Sequence, residues 1–302
     1  MTGGLLLNAD VLEQMAGVLA KKVPGLGWQL SPGSAKQGVL SGGRGRLELE
    51  CRGAFGWLTC SGLDLGRDDP CALWQTALAL AGSFRIAGPP DGTGVRVEAS
   101  WPWGVPPRLQ AELLAADLRR LLGCGGGGER TALPLSGDLR KHLCGIMRAQ
   151  DRLAELPASA GTLEVRAGLG REAVQVSVRR PCAEAIEVCA FVANWVAEGD
   201  LEREAAARLA FMLHARLRWV RLVLREGTRI EVAVAIPPDA FTAHVWGLAR
   251  QALGQATVSC RRVLRLVQSP PVAAEFLHAM SLMADFAPDA RFRQAPGPKA
   301  RM

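Results

Sequence analysis

The chain has 302 residues, of which 49% are hydrophobic and 22% are charged, and its formal net charge is +7. This composition excludes a disordered chain, and a chain of this length can fold without metals or disulfides. No apolar run approaches the ~20 residues of a membrane helix, and the first residues lack a secretory signal pattern. We therefore expect a cytoplasmic protein.

The positive charge is concentrated in the second half of the chain. Residues 1–128 hold 12 basic and 11 acidic side chains, whereas residues 129–302 hold 24 and 18, so the net charges are +1 and +6. Arginine outnumbers lysine by 31 to 5, which is typical of a GC-rich genome and here suggests a bacterial one. Codon bias alone can supply part of this charge, so charge by itself does not identify an anionic partner.

In the first half, apolar spacing and turn residues predict helices that alternate with groups of strands. Residues 45–53, for example, alternate apolar and charged side chains, as expected for a strand with one solvated face. The predicted elements are a helix over 10–22 capped by Asp10, a short strand over 27–31, a hairpin over 46–63, a helix over 68–81, a hairpin around the turn at 89–94, and a helix over 107–122.

The second half repeats this order with one addition. The predicted elements are a helix over 138–156, a hairpin over 162–180, an extra helix over about 181–199, a helix over 200–217, a hairpin over 219–236, and a helix capped by Asp239 that runs to about 254 or beyond. The pattern predicts two similar halves, of which the second contains one inserted helix.

Two pairs of similar stretches connect the halves. The segment LELE (47–50) aligns with LEVR (163–166), and DGTGVRVEA (91–99) aligns with EGTRIEVAV (226–234). The two alignments differ by the length of the segment 181–199, which explains the shift between them. The sequence therefore predicts a duplicated module.

The predicted fold class is α+β, with two similar modules that each pack an antiparallel sheet against helices. The predicted organisation is a first module over 1–123, a glycine-rich linker over 124–137, a second module over 138–268, and a C-terminal region over 269–302 with a short helix (273–286) and a flexible basic tail.

The order helix, three strands, helix, two strands, helix resembles the fold of type III secretion chaperones and the related YbjN-like domains, over roughly 10–123 and 138–256. The resemblance implies a twisted antiparallel sheet on helices, and paired copies that bind an extended partner polypeptide. Members of that family are typically small acidic homodimers, whereas this chain is long and basic and would carry both copies itself.

No linear motif predicts a catalytic residue, a cofactor or a metal. The glycine-rich segment CGGGGER (124–130) lacks the lysine of a phosphate-binding loop, and no C-x-x-C or H-E-x-x-H pattern occurs. His142 and Cys144 are the nearest histidine and cysteine, and two residues so spaced point to different faces of a helix.

Arginine clusters and two tryptophans are the candidate partner-binding residues. Arginine can pair with carboxylates of a protein or with phosphates, and tryptophan is favoured at binding hot spots. The candidates are Trp101, Trp103, Arg216, Arg218, Arg221, Arg261, Arg262 and Arg265.

These residues predict a non-enzymatic, chaperone- or adaptor-like protein that engages another protein of the same bacterial system. The first alternative is a nucleic-acid-associated protein that uses the basic second half, although aromatic residues make up only 5% of the chain and offer few stacking platforms. The second alternative is an enzyme without a recognisable linear motif.

Overall fold

A computed structural model describes residues 3–29, 35–40, 45–62, 83–88, 96–123, 133–149, 154–156, 162–169, 172–195, 199–225 and 228–285. These residues form two six-stranded antiparallel sheets and six helices, so the predicted α+β class is confirmed. None of the described helices is both long and apolar enough to cross a membrane.

The first half contains one sheet and two described helices. Its elements are α1 (Gly3–Lys22), β1 (Leu26–Gln29), β2 (Ala35–Leu40), β3 (Arg46–Arg52), β4 (Phe55–Ser61), β5 (Arg85–Ala87), β6 (Arg96–Pro102) and α2 (Pro107–Gly123). The strand order is β1-β2-β3-β4-β6-β5, and each neighbouring pair is antiparallel.

The second half contains the other sheet and four helices. Its elements are α3 (Gly137–Arg148), β7 (Ala154–Leu156), β8 (Thr162–Leu169), β9 (Glu172–Cys182), β10 (Ala185–Asn194), α4 (Asp200–Arg216), β11 (Arg221–Arg225), β12 (Arg229–Ile236), α5 (Ala243–Leu266) and α6 (Pro270–Asp285). The strand order is β7-β8-β9-β10-β12-β11.

The two sheets have the same strand order when each half is numbered separately, with the last two strands exchanged in both. The shared strand order supports the prediction that the two halves arose by duplication of one module, which stays a prediction. The alignment of residues 47–50 with 163–166 is wrong, because these residues lie in β3 and β8, the third and second strands of their sheets. The strand at the position of β3 in the second sheet is β9.

One face of each sheet is covered by helices because one set of alternating side chains is apolar. Leu47 and Leu49 of β3 are fully buried in the same core as Met15 and Leu19 of α1. The α1 and α2 helices pack against each other, and α5 packs across β8, β10 and β12. The helix-covered faces of both sheets form one continuous hydrophobic core.

The predicted extra helix at 181–199 is wrong, because β9 continues to Cys182 and β10 occupies Ala185–Asn194. Nearly every residue of β10 is buried, so both of its faces are apolar and the period of two is hidden. Its alanines and Glu187 then favour a helical interpretation. The described residues of 181–199 therefore contain no inserted helix in the second half.

Several boundaries also differ from the predictions. The helix predicted over 138–156 ends at Arg148, and β2 and β7 were not predicted as strands. Thr242, rather than Asp239, caps α5, and its hydroxyl accepts a hydrogen bond from the Val245 N–H. Asp10 lies inside α1 and does not cap it. The helix predicted over 68–81, the turn at 89–94, most of the linker and the basic tail lie outside the described residues.

Candidate functional site

The two halves meet where α4 of the second half packs against β5, the edge strand of the first sheet. His214 of α4 is fully buried at this contact. The Leu222 N–H of β11 donates to His214 Nε2 at 2.8 Å, and His214 Nδ1 lies 2.8 Å from the Ile86 carbonyl oxygen of β5. Because Nε2 accepts, Nδ1 carries the proton and donates to Ile86.

The imidazole of His214 therefore bridges the edges of both sheets. An edge strand presents backbone groups without partners, and one neutral imidazole satisfies a carbonyl on β5 and an N–H on β11. Burial, together with the charges of Arg85 and Arg221, lowers the pKa of His214 to about 3. The histidine is neutral at physiological pH, as this bonding pattern requires.

Arg85 is the centre of the buried polar cluster beside His214. Its Nη2 lies 3.0 Å from Glu98 Oε1, its Nε donates to the His214 carbonyl oxygen at 3.1 Å, and its Nη1 donates to Ser100 Oγ at 3.1 Å. Ser100 Oγ also accepts the Trp219 N–H at 2.7 Å. Each half thus supplies polar groups that the other half satisfies, which fixes the relative placement of the halves.

A second arginine occupies the corresponding place in the other sheet. Arg221 is the first residue of β11, as Arg85 is the first residue of β5, and both are buried. Arg221 pairs with Glu187 of β10, which also pairs with Arg225. The two sheets therefore share a buried arginine as well as a strand order.

A second contact between the halves involves α2. Asp117 accepts the Ser83 N–H at 2.7 Å and pairs with Arg120 Nη1 at 2.7 Å, while Arg120 Nη2 reaches Glu184, in the turn between β9 and β10, at 3.2 Å. Burial raises the pKa of Asp117 to about 6, against the opposing effects of Ser83 and Arg120. Beside these groups, Leu113 packs on apolar residues of the second sheet.

An open groove of about 940 Å³ lies between the halves. The first half contributes the turn at 54–55 and the corner at 102–104, and the second half contributes residues from 213 to 220 and one face of α5. The α5 face is formed by His244, Leu248, Gln251, Ala252, Gln255, Ala256, Ser259 and Val263. These residues recur at intervals of three or four, as one side of a helix requires.

The corner at 102–104 approaches α5 closely because residue 104 is glycine. A Cβ on Gly104 would lie 2.9 Å from His244 Nε2 and 3.0 Å from Leu248 Cδ1, both too short for van der Waals contact. Beside it, Trp103 is half-buried, and its Nε1 donates to the Gly53 carbonyl oxygen at 3.2 Å. The indole ring is thereby held on the wall of the groove.

The structure brings three of the predicted partner-binding residues together at this groove. Trp103, Arg216 and Arg218 line it, and both arginines are exposed. The guanidinium carbon of Arg218 lies 5.6 Å from the centre of the Phe55 ring, in the range of a cation–π contact.

The remaining candidates lie elsewhere. Trp101 and Arg221 are not accessible to a partner, because β6 places Trp101 in the core at 0% exposure and Arg221 is buried in its pair with Glu187. Arg261 donates to the carbonyl oxygens of Phe191 and Val192, and so holds the end of β10 instead of facing a partner. Arg262 and Arg265 are exposed on α5 but do not line the groove.

The groove face of α5 was not predicted as a functional surface. A signal was present, because no aspartate or glutamate occurs between Asp239 and Glu275, which is unusual for an amphipathic helix with a solvated face. The groove side of α5 consists instead of alanine, leucine, glutamine and serine.

Within the described part of the chain, no group of three or more histidine, cysteine, aspartate or glutamate side chains could hold a metal ion. Among the described cysteines, burial raises the pKa of Cys60 and Cys260 to about 12.

Comparisons with protein families, with curated proteins and with solved structures found no match to this chain.

Proposed function

We propose that this chain is a non-enzymatic, adaptor- or chaperone-like protein that binds a segment of a partner polypeptide in the groove between its two halves. The observation that carries the proposal is the shape and chemistry of this groove. Its α5 wall runs from His244 to Val263, about 28 Å along a helix. A surface of that length suits a helix of about 19 residues or an extended segment of about eight.

The lining also supports a polypeptide ligand. Apolar side chains such as Leu248 and Trp103 can bury a partner's apolar face, and Gln251 and Gln255 are exposed and can hydrogen-bond to it. This combination is the one that helix-in-groove recognition uses. Tryptophan at the wall supplies a large and rigid contact area.

The arrangement of the halves fits the same proposal. We propose that the two sheets are copies of one module, and that their fusion replaces a dimer, as the resemblance to paired secretion chaperones suggests. Fusion makes the association of the two modules independent of concentration. The groove is formed by both halves, so it exists only when they are correctly docked.

The buried titratable residues support a structural role rather than a catalytic one. His214 and Arg85 hold backbone groups at the contact between the halves, and Glu98 neutralises Arg85. All three are almost completely buried. A catalytic group would need access to a substrate.

Site-specific photo-crosslinking in the native host tests the proposal. We would place benzoylphenylalanine at Gln255, which is exposed in the groove, and in a matched control at Val258, which is 59% exposed on the same helix outside it. The proposal predicts a discrete protein adduct from position 255, which weakens when Trp103 is changed to alanine. Equal adducts from both positions, or none from position 255, would contradict it.

A further inference from the structure

The charged residues of the groove indicate what kind of segment it accepts. Arg216, Arg218 and His244 are its only titratable residues among those described, and no aspartate or glutamate lines it. A partner that places carboxylates beside the two arginines would meet no repulsion from the groove itself. We infer that the groove takes an acidic amphipathic segment of a partner protein, an inference that depends on the proposed protein-binding function.

The two arginines are available for such a partner. Most arginines of α4 have a carboxylate neighbour: Arg203 reaches Asp200 at 2.5 Å and Arg208 reaches Glu204 at 2.5 Å. Arg216, the last residue of α4, and Arg218, two residues later, have no ion pair with any residue that the structure describes. An exposed guanidinium without an internal partner can bind a carboxylate through two parallel hydrogen bonds.

Contact with Phe55 orients one of these arginines. The Arg218 guanidinium lies over the Phe55 ring on the opposite side of the groove. Stacking occupies the face of the planar group and leaves its N–H donors at the edge free to point toward a ligand. The arginine is therefore partly ordered before a partner binds, which lowers the entropic cost of forming the ion pair.

The distribution of charge favours a polypeptide over a nucleic acid. A phosphate backbone needs positive charges at regular intervals along its path. Both arginines are on one wall and only two residues apart, whereas the α5 wall beyond His244 has only uncharged side chains in the groove. An amphipathic segment fits this pattern, because its apolar side chains would lie on Leu248 and Trp103 while carboxylates at one edge meet the arginines.

Fluorescence anisotropy with two synthetic peptides tests the inference. Both peptides have about 18 residues, enough for a helix along the α5 wall, and share one apolar stripe of leucine and alanine. One carries glutamate and the other lysine at the same polar positions. We expect the glutamate peptide to bind and the lysine peptide to bind at least about tenfold more weakly.

A matched pair of double variants separates the groove from bulk charge. R216A/R218A and R262A/R265A each remove two positive charges from exposed positions, but only the first two arginines line the groove. The glutamate peptide should bind R216A/R218A about tenfold more weakly and R262A/R265A within about twofold of the unchanged protein. If both double variants lost the same affinity for the glutamate peptide, the inference would be overturned. It would also be overturned if a single-stranded oligonucleotide bound the unchanged protein as tightly as the glutamate peptide does, and if R216A/R218A weakened the binding of both ligands by the same factor.

The two proposals fail in different ways. If neither charged peptide binds while the adduct from position 255 persists and depends on Trp103, the groove binds a partner that is not acidic, and only the inference is overturned. If the glutamate peptide binds R216A/R218A and the unchanged protein equally and position 255 yields no adduct, both proposals are overturned.

Discussion

The sharpest stability prediction concerns His214, whose neutral imidazole joins the two sheet edges. Its pKa is about 3 in the folded chain, against 6.5 when exposed in the unfolded chain. The unfolded state therefore binds the proton first as the pH falls. The stability that the neutral form contributes is complete above pH 6.5 and is lost progressively between 6.5 and 3. From pH 7 to pH 5 this loss amounts to about 2 kcal/mol.

Asp117 changes stability in the opposite direction over the same interval. Its folded pKa is about 6, raised from 3.8 by burial, so the folded state binds the proton more tightly and gains about 1 kcal/mol between pH 7 and pH 5. The stability of the unchanged protein between pH 7 and pH 5 therefore combines a loss from His214 with a smaller gain from Asp117. A variant that removes only the histidine isolates the contribution of His214.

The assay is urea unfolding of the unchanged chain and of His214→Gln at pH 7 and pH 5, followed by tryptophan fluorescence. At pH 7 the variant should be less stable by about 1–3 kcal/mol, because edge groups lose their partner. Between pH 7 and pH 5 the unchanged chain should lose about 2 kcal/mol more stability than the variant does. The same pH dependence in both proteins would refute the bridging role of the neutral imidazole.

Two further pairs of substitutions, each with its matched control, test packing and capping. Gly56→Ala should destabilise the fold by about 1–3 kcal/mol, because the new Cβ would lie 2.4 Å from the Trp101 ring, whereas Gly27→Ala, with no atom within 4 Å of its Cβ, should change the unfolding midpoint little. Thr242→Ala should cost about 1 kcal/mol by removing the cap of α5. Asp239→Ala should cost much less, and the reverse ranking in thermal unfolding would contradict the observed cap.

Local sequence patterns predicted most of the elements. The alternation in β3 and the glycine at residue 53 predicted the first hairpin, whose turn the structure places at residues 53–54. A strand with one partly solvated face carries a readable period, as β3 does with its alternating buried and partly exposed residues. The α+β class followed from the order of such elements.

Strands without a solvated face were the main source of error. The buried β10 shows no alternation, and its alanines and glutamate resemble a helix, so the second sheet lost a strand in the prediction. That error also shifted the alignment of the two halves by one strand. The period of a strand becomes visible only when one of its faces is polar.

The candidate site depended on contacts that sequence spacing does not show. Trp101 and Trp103 are two residues apart, yet β6 ends at Pro102, so only the first is in the core. Arg221 pairs with Glu187, 34 residues away along the chain. The sequence does not show which arginines have an ion-pair partner, because the fold decides which carboxylates lie beside them.

The central claim is that the groove shared by the two halves is the binding surface, and hydrogen–deuterium exchange tests it most directly. With saturating glutamate peptide, we predict slower exchange in the 213–220 segment and in the corner at 102–104, both of which border the groove. Unchanged exchange in both segments, or protection confined to the outer strands β1 and β7, would contradict the claim.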